Sequence, residues 1–246
     1  MPIMTSSKTK TKRSQHSVAA KVPTRKANVR PARSAEARPG PEGGVRQENR
    51  KRRVAELRRA ACELFLAQGI GSVAVEEIAL AAGLSKAGFY RYYSSAEALV
   101  RDLVAPVAAG LEEAASAAEQ GLRAAKNKDQ LVAVYVRLGI TLTAVVAAEQ
   151  PVVRLYLQEV RGPDDGLRVP IASLAERVDA LVLALTHAAH AHGLLRAVDP
   201  ELSAQAVLGL VEHMLHRALR SGRLVQEAER LPALIGMVLE GIARGD

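Results

Sequence analysis

Twelve consecutive residues, Ala82 to Tyr93, constrain this chain more than any other stretch. Ala82-Gly83-Leu84-Ser85-Lys86 supplies a small residue, a glycine bend, an apolar side chain, a hydroxyl N-cap and a cation. Phe89-Tyr90-Arg91-Tyr92-Tyr93 follows and holds four of the seven aromatic side chains in the sequence. That order predicts a tight turn feeding a short helix that carries phenols and positive charge. A phenol hydroxyl can donate to a phosphate oxygen while its ring packs sideways, and Arg or Lys adds charge. Such a helix suits a DNA groove.

The flanking residues predict the frame that holds it. Val54, Leu57, Ala61, Leu64 and Phe65 form one stripe of a first helix, running from near Glu48 to Gln68-Gly69. Val75, Ile78, Ala79 and Ala82 mark a short second helix stopped by Gly83. Ser85 caps a third, expected to reach about Tyr93, and Ser94 with Glu97 reads as a capping box opening a fourth. Two helices joined by a glycine turn, packed on a first, make a helix-turn-helix. Longer helices are expected at about 95–120 (with Pro106 inside), 129–149, 151–161, 168–192, 199–221 and 231–243. Asp199-Pro200-Glu201 gives one of them an N-cap, a first-turn proline and an acid at the positive helix end. Alanine and leucine supply most of the apolar content, tryptophan is absent, and no segment reads as a strand. The fold class is all-α.

Charge divides the chain sharply. Residues 1–53 carry fifteen Lys and Arg against Glu36, Glu42 and Glu48, a net +12, whereas residues 54–246 carry −4. Residues 1–47 lack a periodic apolar face and are rich in Pro, Gly, Ser and cations, so they are expected to form a disordered basic arm. An arm of this sign suits nucleic acid. A single cysteine, Cys62, excludes an intramolecular disulfide. No stretch approaches the roughly 20 uncharged apolar residues of a membrane helix, and residues 1–20 lack a secretory apolar block. The expected compartment is cytoplasmic, with no membrane partner.

From Arg53 to Leu99 the chain resembles the DNA-binding domain of tetracycline-repressor (TetR) family transcription regulators. The resemblance rests on Ala60-Ala61-Cys62-Glu63-Leu64-Phe65, Val75-Glu76-Glu77-Ile78-Ala79, Ala82-Gly83-Leu84-Ser85-Lys86 and Phe89-Tyr90-Arg91-Tyr92-Tyr93, in the family's order and spacing. It implies a DNA-binding domain over residues 48–108 and a helical ligand-binding and dimerisation domain over 109–246. It also implies that Leu84, Phe89 and Tyr93 are buried. Lys86, Ala87 and Gly88 would face base edges, while Tyr90 and Tyr92 would reach phosphates. Arg91 suits either, and Ser85 joins this DNA-facing set. Three departures weaken backbone anchoring. Ala74 replaces a hydroxyl residue, which removes about 1 kcal/mol of cap stability. Ala96 stands where a lysine is usual, and Gly88 where a hydroxyl or alanine is frequent. The basic arm, with Arg50 and Arg53 at its junction, is expected to compensate.

The resemblance further implies a homodimer reading a palindromic double-stranded operator, and a small-molecule effector bound among the middle helices. Stripes Val207, Val211, Met214, Leu215, Ala218 and Leu234, Ile235, Val238, Leu239, Ile242 are the expected dimer faces. Candidate effector-pocket residues are Tyr135, Arg154, Tyr156, His187 and His213, with Thr141 and Thr143 as further polar positions. His187, His190, His192, His213 and His216 lack a cysteine or carboxylate cluster to complete a site, so no metal and no cofactor is expected. The leading function is a transcription repressor released from its operator by an effector. A nonspecific DNA-architectural protein using the arm is the alternative. An enzyme is disfavoured by the lack of a Gly-rich phosphate loop, a nucleophile elbow or a Cys/His pair.

Overall fold

The computed structural model describes residues 44–191, 193 and 198–242; the basic arm through residue 43, and His192, lie outside them. Every regular element among the described residues is helical. The first three are α1 (Val45–Gln68), α2 (Val75–Ala81) and α3 (Lys86–Phe89). Helix α1 therefore begins a few residues earlier than expected, inside the stretch read as the arm.

Leu57, Phe65, Ile70, Ile78 and Phe89 are wholly buried and knit these helices together. Burying a side chain of this size stabilises by about 1.5–3 kcal/mol. Helix α2 ends as its glycine demands. Gly83 has φ +66°, its N–H donates to Leu80 O at 2.9 Å, and Leu84 N–H donates to Ala79 O at 2.8 Å. This paired return satisfies the last carbonyls of α2 and needs a left-handed residue. Ser85 Oγ then accepts from Gly88 N at 3.1 Å to start α3. The third helix is shorter than expected: only Lys86–Phe89 is regular, and Tyr90 to Tyr92 form a closing turn. Helix α4 (Ala96–Ala124) is capped by Ser95, whose Oγ accepts from Ala98 N at 3.1 Å, and not by Ser94. Glu97 pairs forward with Arg101 instead of closing a box.

Helix α4 contains Pro106 and stays one helix. Proline has no N–H, so the carbonyl of Asp102 loses its partner within the helix. Arg58 of α1 supplies the missing donor, with Nη1 2.6 Å from Asp102 O. The same guanidinium pairs with the Asp102 carboxylate at 3.1 Å, and Tyr93 Oη donates to that carboxylate at 2.6 Å. Burial and this bond raise the Tyr93 hydroxyl pKa, so the phenol keeps its proton and remains a donor. One cluster thus fastens α1, the end of the α3 turn and α4.

The body continues with α5 (Lys128–Ala148), α6 (Gln150–Glu159), α7 (Val169–His190), α8 (Pro200–Ser221), α9 (Leu224–Ala228) and α10 (Leu231–Ile242). Most bounds agree with the periodicity because the caps are local. Asn127 Oδ1 accepts from Gln130 N, and Asp199 Oδ1 from Glu201 N and Leu202 N. Helix α9 has no counterpart among the helices expected from the periodicity. Helix α4 packs against α5 and α7, α7 against α8, and α10 against α5. Two glycines let α4 and α5 approach closely: a Cβ at Gly110 or Gly121 would lie 2.8 Å from Val145 Cγ2 or Val134 Cγ2 respectively. Against the expectation that no stretch approaches a membrane helix, α5 has mean hydropathy 2.0 and is by length and composition long and apolar enough to cross one. In the body it borders a cavity, and Leu131 is its one wholly buried side chain.

Candidate nucleic-acid interface and internal cavity

The closing turn after Ser85 sets which side chains reach outward. Phe89 and Tyr93 point into the core, and Phe89 meets Tyr90 edge-on with ring centroids 5.4 Å apart. Ser85, Lys86, Ala87, Tyr90 and Arg91 are exposed, and Tyr92 is half-buried. Leu84 is half-buried against the core. Gly88 requires a correction. It is buried, and a Cβ there would sit 3.3 Å from Leu84 Cβ and 3.4 Å from Ser85 Oγ, so it faces the domain and not a base edge.

Lys86 is not unpartnered. Its Nζ lies 2.5 Å from Glu76 Oε1 of α2, with both side chains about half exposed. Their hydrogen bond holds the Glu76 carboxyl below its ordinary range and lifts the Lys86 ammonium above its own. The lysine therefore stays cationic, and a carboxylate stands beside it on the exposed face. Glu77 Oε2 accepts from Ala74 N at 2.8 Å, so half of the capping box survives without a hydroxyl.

A second basic group gathers at the start of α1. Arg46, Asn49, Arg50, Arg52, Arg53, Arg91 and Tyr92 line one shallow depression. The Arg50 and Arg91 guanidiniums lie 5.5 and 5.7 Å from the Tyr92 ring centroid. The expected Arg50, Arg53, Arg91 and Tyr92 are thus brought together, and Arg46, Asn49 and Arg52 join them. Positions 46, 49, 50 and 53 recur at three, four and seven, a helical-face spacing that was available in the sequence.

In the body, α4 to α8, α10 and Leu224 surround a cavity of about 350 Å³. Of the candidate effector-pocket residues, Tyr135 and Tyr156 line it, and so does Thr143. Arg154, His187, His213 and Thr141 do not: all four are exposed. The error is one of helical phase, since neighbours differ by about 100° around the axis. Glu212 and Met214 flank His213 and line the cavity, and His190, one turn past His187, lines it too. Of the stripes expected to form a dimer face, Val207, Val211, Met214, Leu215 and Ala218, with Leu234, Ile235, Val238 and Leu239, border this cavity. Val211 is also exposed and most of the others are half-buried, while the Ile242 side chain lies outside the described residues. Cys62 is buried in α1, which pushes its thiol up to about 11 and suits packing rather than reactivity.

Between the two regions stands Glu159, at the end of α6. It is buried, and its Oε1 accepts from Ile70 N at 3.2 Å in the turn between α1 and α2. Its Oε2 accepts from Arg168 Nε at 2.9 Å, and Gln158 Nε2 reaches Phe65 O at 3.3 Å. One turn back, Tyr156 lines the cavity and donates to Glu212 of α8 at 3.2 Å. Burial, together with the carboxylate, raises the Tyr156 pKa. Helix α6 therefore touches the cavity with one turn and the DNA-facing domain with the next. Sequence spacing carried no sign of this role for Glu159.

A helical body bearing a helix-turn-helix, with Lys86, Arg91 and the Tyr90 phenol exposed around its third helix, has the layout of a DNA-binding protein. Residues 57–103 match the family model for bacterial regulatory proteins of the tetR family. By that match residues 57–103 form a DNA-binding domain of the tetR-regulator type. Solved structures share the fold beyond this domain. The TetR-family regulator PfmR from Thermus thermophilus is 25% identical, with 78% of this chain and 97% of that one covered at a TM-score of 0.55. NalD, the secondary repressor of the MexAB-OprM multidrug efflux pump in Pseudomonas aeruginosa, is 16% identical, covering 81% and 100% at 0.59. FadR from Bacillus subtilis, solved with stearoyl-CoA, is 15% identical, covering 76% and 98% at 0.57. Curated protein sequences yield no match.

Proposed function

We propose that this regulator is a homodimeric repressor that leaves a palindromic operator when a small molecule fills the body cavity. One observation carries the reading: α6 lines the cavity through Tyr156 and holds the α1–α2 turn through Glu159. A ligand that shifts α6 can thereby reposition the helix-turn-helix. Two reading heads on a two-fold axis would match half-sites about one helical turn apart. Among the described residues, Leu202, Val211 and Met237 are large apolar side chains exposed on α8 and α10, and they mark where a second copy would pack. One similar structure supplies an analogy: FadR of Bacillus subtilis was solved with stearoyl-CoA, and the cavity here is largely aliphatic.

Lys86, Ala87, Tyr90 and Arg91 are the proposed groove residues, with Arg50, Arg53 and Tyr92 on phosphates. The test is selection of bound DNA from a random pool. A dyad-symmetric site is expected. Lys86→Ala should relax preference at one position per half-site, at a scale of about 1–3 kcal/mol of discrimination. Tyr90→Phe should weaken all sites about equally. Binding without sequence preference would instead support the architectural role.

A further inference from the structure

We propose that the cavity takes an uncharged, chiefly aliphatic molecule of about a dozen non-hydrogen atoms, whose single hydrogen-bonding head meets His190. The inference rests on the effector reading above and specifies its ligand.

The polar groups around the cavity are few, and most are already engaged. Thr143 and Thr186 each donate to a carbonyl of their own helix, Gly139 O and Val182 O, at 2.8 Å. The Glu212 carboxylate accepts from Tyr156 and pairs with Arg161 at 3.7 Å. His190 differs. Its Nε2 is the one buried side-chain nitrogen or oxygen without a hydrogen-bond partner among the described residues, and the residue lines the cavity. A buried, unpaired ring nitrogen is costly unless something in the cavity completes it. Tyr135 and Ser203 line the same cavity, and Tyr135 packs on the cluster containing Leu185, Ala188 and Ala189, the last turns of α7 before His190. Hydrogen-bonding capacity therefore collects at the α7 end far from the helix-turn-helix.

Shape and charge narrow the ligand further. Along α7 the lining runs from Leu174 to His190, about 24 Å at 1.5 Å per residue, so the space is elongated. A volume of about 350 Å³ holds about a dozen groups at about 30 Å³ each. No lysine or arginine lines it among the described residues. A carboxylate or phosphate would be buried with no lysine or arginine to pair with, whereas a hydroxyl or carbonyl needs only a hydrogen-bonding partner. The head belongs at His190, and the tail lies along the apolar side chains toward α6.

The full chain, loaded on its selected DNA, is titrated with 1-decanol below its solubility limit, and with decanoate at pH 8 and decyltrimethylammonium, each below its micelle concentration. Calorimetry reads binding, and fluorescence anisotropy of the DNA reads release. Decanol should bind at least about tenfold more tightly than either ion. His190→Ala should weaken decanol about tenfold while leaving DNA affinity and melting temperature close to wild type. His190→Gln, which keeps a hydrogen-bonding group, should recover part of the loss. Leu181→Trp, which fills the cavity, should abolish uptake. Tighter binding of decanoate, or decanol binding unchanged in His190→Ala, overturns the assignment. No binding by any of the three while DNA is still held also overturns it, and leaves the repressor reading standing. Decanol bound through His190 without DNA release would sustain the assignment and sink the effector reading instead.

Discussion

At the scale of single residues, the exposed face around α3 is decided by which side chains the core claims. Spacing put Phe89 and Tyr93 inward and Lys86, Tyr90 and Arg91 outward, and the structure agrees. Gly88 went the other way because a glycine leaves no side chain to reveal its face, and only the packing of Leu84 against it does. The Lys86–Glu76 pair leads to a prediction. A carboxylate beside the proposed base-reading lysine must be displaced or tolerated when phosphates approach. Glu76→Gln should therefore tighten binding to the selected DNA by on the order of threefold at low salt, and the gain should fade as salt rises. Anisotropy titrations at two salt concentrations measure it. A weaker complex would mean that Glu76 itself contacts a base.

Among the elements, α4 and its proline give the sharpest case. Pro106 would ordinarily weaken a helix, yet Arg58 caps the orphaned carbonyl of Asp102 from a different helix. Arg58→Met should destabilise the protein by about 1.5–3 kcal/mol, the range for hydrogen bonds to a charged group. In a Pro106→Ala background, where α4 regains its own donor, the same change should cost less. Urea denaturation of the four proteins yields the coupling energy, and a coupling near zero would show that Arg58 serves only the Asp102 carboxylate. Helix limits were legible for a related reason: caps and first-turn prolines act within four residues. Ser94 and Ser95 show the limit of that legibility. Two adjacent hydroxyls offer equal local caps, and the one that faces Ala98 N is set by how the α3 turn delivers the chain.

Across the whole molecule, Glu159 joins the part that reads DNA to the part that encloses the cavity. It contacts Ile70, 89 residues earlier in the chain, and pairs with a largely buried Arg168. Glu159→Ala leaves that guanidinium and a backbone N–H without their partner, and should destabilise by about 3 kcal/mol. More telling, one cooperative thermal transition should divide into two as the regions lose their shared contact. Differential scanning calorimetry reads this directly. A single transition shifted to lower temperature would reduce Glu159 to a local support.

What the sequence determined by itself was the set of helices and the bend that makes a reading head. Those depend on apolar period, caps and one left-handed glycine, each an interaction between residues within a few positions of one another. The cavity that the α8 and α10 stripes border and the polar link through α6 were decided by tertiary packing. An apolar stripe states that a face must be covered. It does not state by what, because burial against a neighbouring helix, a ligand or a second copy lowers the free energy through the same removal of surface from water.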